Sequence, residues 1–142
     1  MKFTRKAVAN WKGGKNGKGN LTTDSGVLNG TPYSFKMRFE NERGTNPEEL
    51  IGAAHAGCFT MKLSILLEDA GFTPINLETK AGVTFENGMI SLIHLDLTAE
   101  VPEISEEQFQ QLAKEAKETC PVSKSLKSEI TLFAVLAAKP VM

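Results

Sequence analysis

Apolar residues recur every second position in several parts of this chain and every third or fourth position in others. Phe35, Met37 and Phe39 alternate with Lys36, Arg38 and Glu40, which predicts a strand over Tyr33–Glu40. Period-two geometry would send Arg38 to the face opposite the aromatic residues, where it reads as solvated. Further on, Ile93, Leu95, Leu97, Ala99 and Val101 share one face of a strand predicted over Ile90–Val101, and His94 falls on the other as a surface histidine. A second arm, Leu77–Phe85, precedes it. The Asn87-Gly88 pair between them is a two-residue hairpin signal. Phe3–Trp11, Leu21–Ser25 and Glu129–Ala138 complete the predicted strands. The Gly13–Gly19 stretch lacks the spacing of a phosphate-cradling loop and reads as a flexible hairpin connection.

Two segments carry helical signals. Asn46 is placed to cap a helix whose first position is Pro47, with Glu48 and Glu49 where the dipole favours acids. It should run to about Ala70 and stop at Gly71. Leu50, Ile51, Ala53, Ala54, Ala56, Gly57, Cys58 and Phe59 make its first half apolar or small on every side, so it is expected to be buried all round. Ser105 with Gln108 forms a capping box for a second helix, with Phe109, Leu112, Ala113 and Ala116 inward. That helix should end before Cys120, because Pro121 disfavours helical geometry in the residue preceding it. A short helix over Val122–Lys127 is then expected, with Cys120 at its N-terminal edge. Strands, a long helix, two strands, two helices and a last strand make an α+β domain.

Composition narrows the picture. The 142 residues fit a single domain spanning 1–142, and 41% hydrophobic with 23% charged residues is ordinary for a globular protein. A formal charge of −1 gives no reason to expect a nucleic acid or an anionic membrane as partner. Basic residues near the N-terminus have no apolar run behind them, so no secretory signal is expected and a cytoplasmic location is the default. The apolar stretch Leu50–Leu67 is broken by His55, Thr60, Lys62 and Ser64, and reads as a core helix and not a membrane span.

The two cysteines, Cys58 and Cys120, have no Cys-x-x-Cys or His cluster near them, so neither a metal nor a cofactor is expected. They are either inert core thiols or a redox pair. Desolvation alone would leave a mid-helix Cys58 protonated, so an active Cys58 needs a delivered positive charge. Arg38 can supply one, and Glu48 or Glu49 would be the carboxylate that an arginine out of water requires. Glu48 precedes Cys58 by ten positions, roughly 15 Å along a straight helix. Either the arginine bridges the two, or two helices pack antiparallel in a dimer. A thioester hydrolase using Cys58 lacks a Cys–His–acid order. His55, one turn earlier, reads as a packing residue or a support for the site.

The run Gly44-Thr45-Asn46-Pro47-Glu48-Glu49-Leu50-Ile51-Gly52-Ala53-Ala54-His55-Ala56-Gly57-Cys58-Phe59 resembles the signature of the OsmC/Ohr family, the osmotically inducible and organic hydroperoxide resistance proteins. Cys120-Pro121-Val122-Ser123-Lys124-Ser125-Leu126 is similar too, as are Trp11 before its glycine-rich loop and Ser25-Gly26-Val27-Leu28 ahead of Arg38-Phe39-Glu40. The resemblance spans essentially the whole chain and is nearer the OsmC branch, since Val122 stands where the Ohr branch usually has tyrosine. It implies a thiol peroxidase of organic hydroperoxides, an intertwined homodimer with two interface sites. Cys58 would be the peroxidatic cysteine, Cys120 the resolving one, Arg38 the activating cation and Glu48 its partner. A dithiol, on the family's pattern a lipoyl group on a protein, would be the reductant. Phe59, Met61 and Leu63 are then expected to wall an apolar substrate site. The rival from another class is a non-catalytic redox sensor or apolar-ligand binder.

Overall fold

The structure, a computed structural model, describes residues 1–137. The chain divides into two compact units, Met1–Leu50 and the remainder from Ile51 onward. In the first, strands β1 (Ala7–Lys12), β2 (Lys18–Thr23) and β3 (Thr31–Tyr33) form an antiparallel sheet in that order. The glycine-rich stretch is the β1–β2 connection, as expected, although β2 starts three residues earlier than its apolar positions suggest. Register sets Gly19 between Trp11 and Tyr33 on the neighbouring strands. The two rings lie where a β-carbon at position 19 would stand, so they close over the glycine with centroids 5.4 Å apart.

The strand predicted over Tyr33–Glu40 is not there. Tyr33 ends β3, and Phe35–Phe39 form a short helix, α1. Ser34 caps it by accepting the Met37 backbone N–H. Phe35 and Phe39 are four apart as well as alternating with polar residues, and on the helix their rings meet at 4.8 Å. Arg38 accordingly does not face away from the aromatic residues: its guanidinium lies 4.9 Å from the centre of the Phe39 ring.

Helix α2 spans Pro47–Asp69. Asn46 Oδ1 accepts the Glu49 N–H at 2.8 Å, and Gly71 adopts a φ of +92° beyond the other end. Burial all round is not what the single chain shows. Gly52, His55, Phe59, Leu63 and Leu67 form one buried face, while Ala53, Ala54, Gly57, Met61 and Ile65 are exposed. By length and composition alone α2 could cross a membrane, but Phe59, Leu63 and Leu67 are completely enclosed in the protein core.

That core belongs to the second unit. β4 (Asn76–Glu86) and β5 (Met89–Glu100) pair antiparallel through Asn87-Gly88, both with positive φ as this tight turn demands. β6 (Glu129–Leu136) lies parallel to β5, the connection being made by α3 (Glu106–Thr119) and α4 (Pro121–Ser125). Ile93, Leu95, Leu97, Ala99 and Val101 are buried from the β5 side, Phe109, Ala113 and Ala116 from α3. Ser105 caps α3 through the Gln108 N–H. Ala138, the predicted last residue of β6, lies outside the described residues. His94 is half-buried and bound to Thr131 Oγ1 at 2.7 Å, so it is not a free surface histidine.

Candidate active site

Within the second unit, Cys58 sits mid-way along α2 and is half-buried; Cys120 has no solvent exposure and ends α3 while beginning α4. Pro121 enforces that break, so one residue is both C-cap and N-cap. The two thiols lie close together, and the Cys120 side chain and the Val122 backbone both act on the Cys58 thiol. Both are free thiols. Burial pushes the Cys58 thiol up from its ordinary value, and the Cys120 contact adds to this. The Val122 backbone and, more weakly, the positive charge of Lys62 pull it back. On these contacts alone the thiol is held protonated and is a poor nucleophile.

Neither Lys62, one turn after Cys58, nor the Val122 backbone is picked out by motif as a group acting on the thiol. The i, i+4 spacing of Lys62 was a usable signal; the Val122 contact arises only once the chain turns back onto α2. His55 is completely buried, with Nε2 2.7 Å from Ser123 Oγ on α4. Burial lowers its pKa, keeping the imidazole neutral.

Phe59 and Leu63 cannot wall a substrate site, because both are fully inside the core. Helical geometry puts them on the buried face of α2, one turn apart, whereas Met61 is 67% exposed. Met61 instead lines an open groove of about 710 Å³ with Gly57, Thr60, Ile75 and Leu77.

In the first unit, Arg38 and Glu48 form a two-pronged ion pair. Arg38 Nη2 and Nε each reach Glu48 Oε1, at 2.6 and 2.9 Å. This fork matches the planar guanidinium to the carboxylate and fixes its orientation. Glu49 is engaged elsewhere, accepting from Thr45 Oγ1 at 2.8 Å. Asn46 sets that division of labour, since capping through Glu49 N–H starts α2 with Glu48 turned toward α1. Arg38 also lines a 330 Å³ cavity walled by Trp11, Tyr33, Phe35 and Phe39, with Lys15 Nζ 4.5 Å from the Phe35 ring centre. The Trp11 indole N–H donates to Gly14 O at 3.0 Å and pins the glycine-rich loop there.

A sequence model of the family described as OsmC-like protein matches residues 39–133. Over 137 residues the chain is 50% identical to Peroxiredoxin OsmC of Escherichia coli (strain K12), covering 93% of this chain and 96% of that protein. It is 29% identical over 138 residues to Organic hydroperoxide resistance protein OhrB of Bacillus subtilis, covering 90% and 93% of the two chains. The crystal structure of OhrB superposes with a TM-score of 0.68 at 27% identity over 95% of this chain and 98% of that one. An OsmC-like protein from Mycoplasma pneumoniae gives a TM-score of 0.77 at 13% identity, over 97% and 100% of the chains, a likeness of fold alone.

Proposed function

The chain belongs to the OsmC-like protein family, and from that membership we propose that it is a thiol peroxidase reducing organic hydroperoxides to alcohols. The observation that carries the reading is the contact between Cys58 and Cys120, two thiols far apart in sequence that the second unit brings together. The Cys58 thiolate attacks the distal peroxide oxygen. The O–O bond breaks, the alkoxide takes a proton and leaves as the alcohol, and Cys58 is left as a sulfenic acid. Cys120 then displaces hydroxide from that sulfur to give a disulfide and water. An external dithiol regenerates both thiols by exchange.

Arg38 is the cation this cycle requires. It would stabilise the thiolate and the charge that develops on the peroxide oxygens, with Glu48 holding the guanidinium in plane. The two-pronged pair supports Glu48 over Glu49 in that role. The whole chain works as one domain and the functional unit is a homodimer, with Arg38 and Glu48 of one copy serving Cys58 of the other. Support comes from the roughly 15 Å between Glu48 and Cys58 along one helix. The small and apolar residues that α2 leaves exposed, Ala53, Ala54, Gly57 and Met61, point the same way. The reductant is a lipoyl-type dithiol, and a cytoplasmic location follows from dependence on a pool of reduced thiols.

The test is steady-state consumption of an alkyl hydroperoxide with dihydrolipoamide or with glutathione. Sustained turnover with dihydrolipoamide and little with glutathione is expected. A single oxidation per chain and no turnover with any dithiol would establish a redox sensor in place of an enzyme.

A further inference from the structure

Helix α4 is five residues long, buries no side chain completely and has no side-chain cap at Cys120. Cys120 is enclosed at the end of α3, with its N–H on Ala116 O, so what the packing of α4 leaves to be fixed is how its first turn sits against α2. Beside the apolar packing of Val122 and Cys58 on the core, polar contacts tie that turn to α2. Cys58 lies against the Cys120 side chain and the Val122 backbone, and one turn earlier on α2 His55 meets Ser123 at 2.7 Å. His55 is wholly buried, and its Nδ1 has no hydrogen-bond partner among the described residues. Burial keeps the ring neutral, with a single proton. Placing that proton on Nδ1 would bury an orphan N–H, the costlier arrangement, so the ring donates from Nε2 to Ser123 Oγ.

Oxidation affects these contacts unequally. Once Cys58 carries a sulfenic hydroxyl, its thiol contact to Cys120 is replaced, whereas the His55–Ser123 bond involves no sulfur. We propose that His55 is a positioning residue for resolution: its bond to Ser123 clasps α4 to α2 and keeps Cys120 against the oxidised Cys58. This rests on the reading of Cys120 as the resolving thiol. In the step concerned the Cys58 S–O bond breaks, an S–S bond forms, and the hydroxyl leaves with the Cys120 proton as water. His55 exchanges no atom or electron; it raises the effective concentration of one sulfur at the other.

The experiment compares His55→Ala, Ser123→Ala and His55→Gln, whose amide nitrogen takes the place of Nε2. After one equivalent of an alkyl hydroperoxide, the decay of the sulfenic acid, trapped with dimedone at timed intervals, gives the resolution rate. Both alanine variants should resolve about tenfold more slowly, the scale of one buried hydrogen bond, while the first oxidation of Cys58 is unchanged. His55→Gln should recover most of the rate, which a role in packing alone would not allow. A second arm uses no peroxide: equilibration with oxidised and reduced glutathione reports the effective concentration of the two thiols. It should fall about tenfold in the alanine variants and recover in His55→Gln. Alanine variants matching wild type in both arms, or His55→Gln as slow as His55→Ala, overturn the clasp. A wild type inert to peroxides whose glutathione equilibrium still depends on His55 would refute the peroxidase reading and leave the clasp standing.

Discussion

From Ile51 onward the chain encloses Phe59, Leu63, Leu67, Ile93, Leu95, Leu97 and Phe109 without any solvent exposure, whereas among the described residues of Met1–Leu50 only Gly19 is buried. The first unit holds a three-stranded sheet, an aromatic cavity and a forked ion pair, yet leaves Val8, Trp11 and Phe39 exposed. The second has the core and both thiols, but burial there works against ionising Cys58. Each region holds what the other lacks. Apolar enclosure gives the thiols a fixed geometry at the cost of reactivity, and charge is organised where little is enclosed.

The largest effect should come from the thiols. Cys58→Ser should abolish peroxide consumption, while Cys120→Ser should react once and stop as a sulfenic acid that dimedone traps. Equal single-turnover rates in wild type and Cys58→Ser would remove the chemistry from the second unit altogether, and the comparison with it.

The contrast in enclosure is tested by stability. Leu97→Ala empties a site with no exposure and should cost about 2–5 kcal/mol, read from urea unfolding midpoints. Trp11→Ala, at a ring 39% exposed in the single chain, should cost less when measured at high dilution. If a second copy covers the first unit, the cost of Trp11→Ala should grow with protein concentration. A cost that is large and independent of concentration would show that the first unit is closed without a partner.

How far the sequence revealed these regions follows the same divide. The β4–β5 hairpin, the caps of α2 and α3 and the inward face of β5 were legible, because each depends on local rules that burial reinforces. Tyr33–Glu40 was misread because Phe35, Met37 and Phe39 fit alternation as well as a single helical turn. The capping hydroxyl of Ser34 decided between them. Which face of α2 the chain itself buries was not legible, since small residues such as Ala53 and Gly57 look alike buried or exposed. Of the candidate site, Cys58, Cys120, Arg38 and the two acids are the residues that motif singles out. The choice of Glu48 to pair with Arg38 was not legible: adjacent glutamates are equivalent in sequence until Asn46 and Thr45 engage Glu49. Ser123 was beyond reach, because its partner His55 lies in a different element.

The smallest expected effect bears most directly on whether the charge of one region serves the thiol of the other. Arg38→Lys keeps a positive charge but loses the fork that binds Glu48 through two nitrogens. Activity near pH 7 should fall about tenfold, the scale of one charge-assisted hydrogen bond. The pH dependence separates activation from mere packing. Burial and the Cys120 contact raise the Cys58 pKa, so the thiolate fraction is small at neutrality unless a cation restores it. If Arg38 activates the thiol, a cation no longer held by the fork leaves the pKa higher, so the rate of Cys58 oxidation should keep climbing into the alkaline range in Arg38→Lys, where wild type should already level off. The two should converge as pH rises, since the thiol then ionises without the help of a cation. Stopped-flow oxidation at a fixed peroxide concentration, from pH 6 to 10, measures both curves. A lysine variant with a near-native rate and an unshifted profile would mean that the charge organised in the first unit is not what activates the thiol in the second.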